Sequence, residues 1–207
     1  MIEFWLIRHG ETVENAAGIC QGQTPGTLNE DGIAQAKALG EYLKDEEFDF
    51  YYSSDLLRTM KTTQEVTKYH PEKEIIPEPL LRERYLAAWQ GKPFPKNWKE
   101  LDLPEGAETA EDLIARAEAF IQLIKEKHDG KRVFAMSHGG LIRAFWTVLH
   151  GFDHDSYYHW DAPKNTSISR FELNDDGSVK VVARNLAEHL ETVPVEVKDK
   201  SQNGWQL

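Results

Sequence analysis

The 207-residue chain has a single cysteine, Cys20, so no intramolecular disulfide framework can hold its fold. It also lacks any apolar run near the ~20 residues needed to span a bilayer. The stretch Ile2–Ile7 is broken by Glu3 and is too short for a signal-peptide core. Positive charge is scarce as well: 24 Lys and Arg face 35 Asp and Glu, a formal net charge of −11. A surface that acidic does not track nucleic-acid backbones or anionic lipid by bulk charge. No nucleic-acid and no membrane partner is therefore expected, and an anionic ligand requires a local cluster of cations. No targeting segment, repeat or low-complexity tract is visible, so a cytoplasmic protein in a reducing compartment is the default expectation.

What is present is enough for a sizeable core, with 40% hydrophobic, 11% aromatic and 29% charged residues, which sets intrinsic disorder aside. The length corresponds to roughly one domain at about 100–200 residues each. Strand-like and helix-like runs alternate, the pattern of an α/β fold with a mostly parallel sheet. Strands are expected at Ile2–Ile7, Phe48–Tyr52, Glu74–Ile76 and Arg132–Met136. After the N-cap Asn29, a helix carries Ile33, Ala36, Leu39 and Leu43 on one face. Ser53 and Ser54 lead into a helix with Leu56, Leu57, Met60 and Val66 as its apolar set. Leu113, Ala117, Phe120, Ile121 and Ile124 recur at helical spacing, and Gly140–Leu149 reads as a further helix. Asn174–Gly177 is a turn between Ser167–Leu173 and Ser178–Ala183, a C-terminal hairpin. The proline-rich segment 87–105 reads as a cap insertion, and residues from about Pro194 as a loosely held tail.

Two of these strands end alike, in Arg8-His9-Gly10-Glu11-Thr12 and in Ser137-His138-Gly139-Gly140. In open α/β sheets ligands bind beyond the carboxyl ends of the strands, so the two histidines are expected at one rim of one sheet. Glycine there lets the backbone approach an anion and offers an N–H at a helix start. His9 taken alone reads as a core histidine at a strand end; its neighbours Arg8 and Gly10, and the repeat of the pattern at His138, favour a functional role. Arg58, at a strand-to-helix turn, is favoured over an ordinary solvated helix residue. Glu83 lies among Glu78, Arg82 and Arg84, where a surface salt-bridge cluster is the competing reading. Glu11 reads as structural, hydrogen-bonding the loop. His150, His154 and His159, with Asp153, Asp155 and Asp161, match no closed metal motif and read as a polar loop, so no metal site is expected. Trp89, Phe94, Trp98 and Trp160 read as cap packing before pocket lining.

The string Arg8-His9-Gly10-Glu11-Thr12 resembles the signature of the histidine phosphatase superfamily, the phosphoglycerate-mutase-like family. Further points agree in order: Asn15 and Gln21-Gly22, Leu28-Asn29 with Gly32 and Gln35-Ala36, Ser53–Thr59 with Arg58, Leu81-Arg82-Glu83 followed by Trp89-Gln90-Gly91, Gly106 with Glu108-Thr109, His138-Gly139, and Asn165-Thr166-Ser167. The likeness runs from about Ile2 to Leu173. It departs at Thr24-Pro25, where the family has an aspartate before its proline, and at Ala87 and Gln90 around the tryptophan. It implies a three-layer α/β/α sandwich and one domain over residues 1–207.

The resemblance further implies that His9 is a nucleophile forming a phosphohistidine, with Arg8, Arg58 and His138 binding the phosphoryl group and Glu83 as general acid and base. Asn15, Gln21, Gly22 and Gly139 are the expected substrate-binding residues. The chemistry fits: arginine stays charged and binds phosphate oxygens in pairs, and a neutral imidazole supplies the lone pair. No metal and no cofactor is implied. The expected function is hydrolysis of a small-molecule phosphate monoester. A phosphoglycerate mutase is the first alternative, weakened because 87–105 carries only Lys92, Lys96 and Lys99 and no paired arginines. A non-catalytic phospho-ligand-binding module is the second. Specificity is expected around Trp89–Trp98 and Tyr157–Pro163; the natural substrate and the oligomeric state stay open.

Overall fold

The computed structural model describes residues 1–97 and 101–192. Six strands, β1 (Ile2–Arg8), β2 (Phe50–Ser53), β3 (Ile75–Pro77), β4 (Arg132–Ser137), β5 (Ile168–Leu173) and β6 (Val179–Leu186), form one sheet in the order β3-β2-β4-β1-β5-β6. The first four run parallel, with Leu6 opposite Ala135 and Tyr52 opposite Ala135 on the other side. β5 pairs antiparallel to β1, and the hairpin partner β6 closes that edge. The helices among the described residues are α1 (Val13–Ala16), α2 (Glu30–Tyr42), α3 (Leu57–Thr67), α4 (Ala110–Lys127) and α5 (Gly139–Leu149).

Side-chain alternation along two strands explains the layers. Ile2, Phe4 and Leu6 of β1 and Val133 and Ala135 of β4 point to one face, where Leu113, Ala117, Phe120, Leu141 and Phe145 of α4 and α5 pack. Trp5, Ile7, Phe134 and Met136 point to the other, against Leu39 and Leu43 and Val66 from the α2 and α3 side. A strand apolar on both faces must be covered on both, and the near-continuous apolar reading of the central strands follows from that. Each buried Leu, Ile or Phe contributes about 1.5–3 kcal/mol relative to exposure, so the two clusters carry most of the fold's stability.

Helix starts are fixed by side chains. Asn29 Oδ1 accepts from Gly32 N at 2.7 Å, as expected for its N-cap position. Thr109 and Asp112 form a reciprocal capping box at α4. Several boundaries move by one to three residues from the sequence expectation. β2 begins at Phe50, with Phe48 buried in the core just ahead of it, and β6 runs on to Leu186. The short α1 has no counterpart in the sequence reading.

Two faces differ from expectation for physical reasons. Ile33 is 41% exposed, because α2 turns Gly32, Gln35, Ala36 and Leu39 inward instead. Gln35 Oε1 accepts from Glu11 N at 2.8 Å, so this face serves the loop after β1 as well as the core. In α3, Leu57 is exposed while Arg58, Thr59, Thr62 and Thr63 are buried. The threonine hydroxyls donate to carbonyls one turn back, Thr62 Oγ1 to Arg58 O at 2.8 Å and Thr63 Oγ1 to Thr59 O at 2.9 Å, so a polar face packs without orphaned groups.

Gly32 and Gly10 touch backbone to backbone. A Cβ on Gly32 would lie 1.9 Å from the Glu11 carbonyl oxygen, and one on Gly10 would lie 2.5 Å from that of Gly32. Gly32→Ala is therefore expected to lower stability by about 1–3 kcal/mol, the usual scale of overpacking. Urea unfolding monitored by tryptophan fluorescence checks it, and an unchanged midpoint would remove this contact as a constraint.

Candidate active site

The carboxyl ends of β1, β2 and β4 deliver Arg8, Ser53 and Ser137 to one rim of the sheet. His9 follows β1, and His138 follows β4 as the residue preceding α5. Arg58 is the second residue of α3, reached directly from β2. The rings of His9 and His138 lie 5.1 Å apart between centroids, and the Arg58 guanidinium is 1% exposed. The juxtaposition expected from the two His-Gly strings is thus present.

Hydrogen bonds assign the protons. His9 Nδ1 is 2.7 Å from Gly10 O, a group that only accepts, so Nδ1 carries the proton. That leaves a lone pair on Nε2, which accepts from Arg58 Nε at 3.3 Å. The same Arg58 Nε donates to His138 Nδ1 at 3.1 Å, and His138 Nε2 donates to Ser54 Oγ at 2.9 Å. Burial first, then the charges of Arg58 and Arg8, hold the His9 pKa well below the usual histidine value. His138 is depressed likewise, by burial and then by Arg58. Both imidazoles are neutral at physiological pH, the state a nitrogen nucleophile requires.

Arg58 is anchored on its far side. It donates to Thr24 O at 2.6 Å and Pro25 O at 3.3 Å through one terminal nitrogen and to Gly22 O at 2.8 Å through the other. Burial pulls its pKa down to about 10, which still leaves it charged. Loop 21–25, where the sequence departs from the family at Thr24, therefore supplies carbonyls to this cation. Arg8 donates to Pro163 O at 2.5 Å. The carbonyl of His9 accepts from Asn165 Nδ2 at 2.9 Å and from Thr166 N at 3.3 Å, which fixes the backbone at His9.

Glu83 stands apart from the surface salt-bridge cluster that is its competing reading. Arg82 pairs with Asp55 instead, its Nε donating at 2.7 Å. Glu83 Oε2 accepts from Gly140 N at 3.1 Å and Oε1 from Arg84 N at 2.7 Å, so the carboxylate sits over the first turn of α5. Arg116 holds the segment from behind, donating to Arg82 O at 2.7 Å and Glu83 O at 3.1 Å while paired with Glu108 at 2.8 Å. Glu11 is structural, as expected, accepting from Asn29 Nδ2 at 2.6 Å.

Arg8, His9, Asn15, Gln21, Gly22, Arg58, Glu83 and Gly139 line one cavity of about 120 Å³. His138 does not line it; it lies fully buried behind Arg58. Asn15 Oδ1 is committed to Thr12 N at 3.2 Å, closing the cap of α1. Trp89 and Phe94 line the cavity rather than merely packing the cap, and Tyr157, Ala162 and Pro163 complete the wall, so both segments expected to set specificity reach it. Trp160 does pack, stacked on Phe152 at 5.5 Å between centroids; Trp98 and the tail from Pro194 lie outside the described residues. Among the described residues no group of three His, Cys, Asp or Glu is placed to hold a metal ion. None of their helices is long and apolar enough to cross a membrane.

Sequence reasoning missed Arg143, Arg84 as a buried residue, and Leu86 in the same wall. Arg143 had a legible signal: it lies four residues beyond Gly139, hence one turn further along the face of α5 that borders the site.

A parallel-stranded sheet carrying two neutral imidazoles and buried guanidiniums at its carboxyl rim is the class of site that handles phosphoryl groups. A model of the histidine phosphatase superfamily (branch 1) matches residues 4–187, and the chain belongs to that family. It is similar to a metal-independent phosphoserine phosphatase of Arabidopsis thaliana, 37% identical over 159 residues covering 70% of this chain and 67% of the relative. It is also similar to a phosphoglycerate mutase-like protein 4 of the same plant, 32% identical over 204 residues, 91% of this chain and 87% of the relative. Among solved structures, a phosphoserine phosphatase from Entamoeba histolytica, in complex with 3-phosphoglyceric acid, superposes with a TM-score of 0.80 at 27% identity, covering 92% of this chain and all of that one.

The pH dependence of stability follows from the histidines. A native pKa below the unfolded value of about 6.5 means that the unfolded chain takes up a proton the native state refuses, so this stability is full above that pH and is lost as pH falls below it. His9→Gln is expected to flatten the fall between pH 6 and 5 by up to one proton, about 1.4 kcal/mol per pH unit. Denaturant titrations at several pH values check it; parallel slopes would mean that His9 is not held neutral by the fold.

Proposed function

We propose that the chain hydrolyses small phosphate monoesters through a phosphohistidine on His9, as a single catalytic domain capped by 87–105 and working in the cytoplasm. The observation that carries this reading is the unprotonated Nε2 of His9, aimed at the Nε–H of a buried arginine and set beside Arg8. Membership in the histidine phosphatase superfamily and similarity to proteins named as phosphatases support it.

The phosphate occupies the space beside Arg8 and Arg58, whose charges offset its two negative charges. His9 Nε2 attacks phosphorus; the P–N bond forms as the P–O ester bond breaks, and the leaving oxygen takes a proton from the Glu83 carboxyl group. The Nδ1–H bond to Gly10 O keeps the ring oriented while it carries positive charge. In the second step Glu83 carboxylate takes a proton from water, the hydroxide oxygen bonds to phosphorus, and the P–N bond breaks. Inorganic phosphate leaves, and His9 and protonated Glu83 are restored. His138 acts through Arg58: its Nδ1 accepts from that guanidinium and its Nε2 donates to Ser54 Oγ, so it holds the cation in place beside the phosphate. Gly139 and Gly140 bring the start of α5 to the same place. Asn15, Gln21 and Gly22 line the same cavity.

Release of nitrophenolate from p-nitrophenyl phosphate in EDTA tests the reading. His9→Ala is expected to abolish both turnover and the acid-labile phosphoenzyme, and labelling at full yield would reassign the nucleophile. Arg58→Ala is expected to cost about 10²–10³ in kcat, the scale of losing one preorganised electrostatic contact. Glu83→Gln is expected to slow alkyl phosphates more than the nitrophenyl ester, because phenolate leaves with less protonation; equal losses would remove its role as acid. Interconversion of 2- and 3-phosphoglycerate outpacing phosphate release would establish the mutase instead.

A further inference from the structure

Two cations in the cavity have no ion-pair partner among the described residues. Arg143 is 9% exposed, and its guanidinium has neither an ion pair nor a hydrogen-bond partner among the described residues; its Nε is a buried donor left unmade. Arg84 is 6% exposed; its Nε donates to the neutral Glu108 carbonyl at 2.6 Å, and one terminal nitrogen is buried without a partner. Neither pairs with Glu83, whose oxygens are taken up by the main-chain N–H groups of Gly140 and Arg84. Both arginines line the cavity that holds His9, together with Tyr157 and Leu86. Arg143 reaches it from α5, one turn beyond Gly139, and Arg84 from the loop that bears Glu83.

A buried charge without a counter-ion costs several kcal/mol, and a buried donor left unmade adds roughly 1–3 kcal/mol. Here two such charges line one cavity in a protein of net charge −11 that has carboxylates to spare. Water in an open cavity offsets part of this cost; an anionic ligand offsets more. Arg8 and Arg58 already serve the phosphoryl group, and each of them is held by carbonyl oxygens. We propose that Arg143 and Arg84 form a second anion subsite, which takes the carboxylate of a small phosphorylated acid while its phosphate lies at His9. Planar guanidinium forks match a planar carboxylate in paired hydrogen bonds. His9 and both arginines line the same cavity, so the partner is a compact molecule that carries both anionic groups. This assignment rests on the phosphatase reading and deepens it to a substrate class: phosphate esters of hydroxy or amino acids.

The test compares 3-phosphoglycerate with the glycerol phosphate of matching configuration, which differ only in carboxylate against hydroxymethyl, and keeps p-nitrophenyl phosphate as a reference. The wild-type kcat/KM is expected to favour the carboxylate by about 10–100-fold, the scale of one or two charge-assisted hydrogen bonds. Arg143→Met should narrow that ratio to within about threefold, chiefly through KM for 3-phosphoglycerate, and Arg143→Lys should recover part of it. A wild-type ratio near one with p-nitrophenyl phosphate turned over, or equal losses on both esters in Arg143→Met, would overturn the subsite and leave the phosphatase reading standing. If no ester is hydrolysed, it is the phosphatase reading that fails. Calorimetric binding of the same two ligands then decides the subsite, with equal affinities overturning it. Should Arg143→Met not fold, the wild-type ratio and inhibition by D-glycerate against glycerol carry the decision.

Discussion

One guanidinium organises this molecule's chemistry. Arg58 Nε stands between His9 Nε2 and His138 Nδ1, and its terminal nitrogens are tied to the carbonyls of Gly22, Thr24 and Pro25. A buried cation forces both imidazoles to face it as acceptors, which fixes their tautomers. Burial first, and then this charge, lower their basicity, with Arg8 adding to the effect, so His9 Nε2 stays unprotonated. The second histidine is then a partner of the arginine rather than a wall of the cavity. Breaking this hub leaves either a charge or a lone pair buried alone, so its three members behave as a unit.

The rest of the fold brings chain segments far apart in sequence to that hub. Two apolar clusters cover the sheet's two faces, and the parallel strands end together at one rim. The approach of Gly10 to Gly32 lets the loop after β1 lie directly on α2, and Asn165 and Thr166 hold the His9 carbonyl from the other side. Thr166 has a positive φ of 57°, a left-handed conformation that costs a β-branched residue about 1–3 kcal/mol. Its N–H donates to the His9 carbonyl, and Thr166 Oγ1 lies 2.8 Å from His189 Nε2.

The central architecture was legible because central strands and amphipathic helices write their burial into the residue pattern. β1, β4 and α4 are examples, and the family signature placed His9, Arg8, Arg58 and His138 on one rim. The pattern misled where burial serves a polar purpose. Ile33 was read inward because it is apolar, yet α2 presents Gln35 and Gly32 to the loop after β1. Leu57 was read into the core, yet α3 buries the threonines that accompany Arg58. Arg143 escaped notice because a charged residue inside a helix normally reads as solvated. Its burial depends on a cavity wall built from other segments, Glu83 and Arg84 far earlier in the chain and Tyr157 and Pro163 beyond α5.

The buried arginines and the acidic exterior act over different distances. A dianionic ester approaching from solvent meets the repulsion of a body carrying −11, while the attraction of the cavity arginines acts only near the mouth. Dissolved ions shorten the reach of the outer field to a Debye length of about 8–10 Å at physiological ionic strength, and penetrate the interior far less. Capture at dilute substrate should accordingly quicken when electrolyte is added to a dilute buffer, the reverse of what an enzyme with a cationic exterior shows toward an anion.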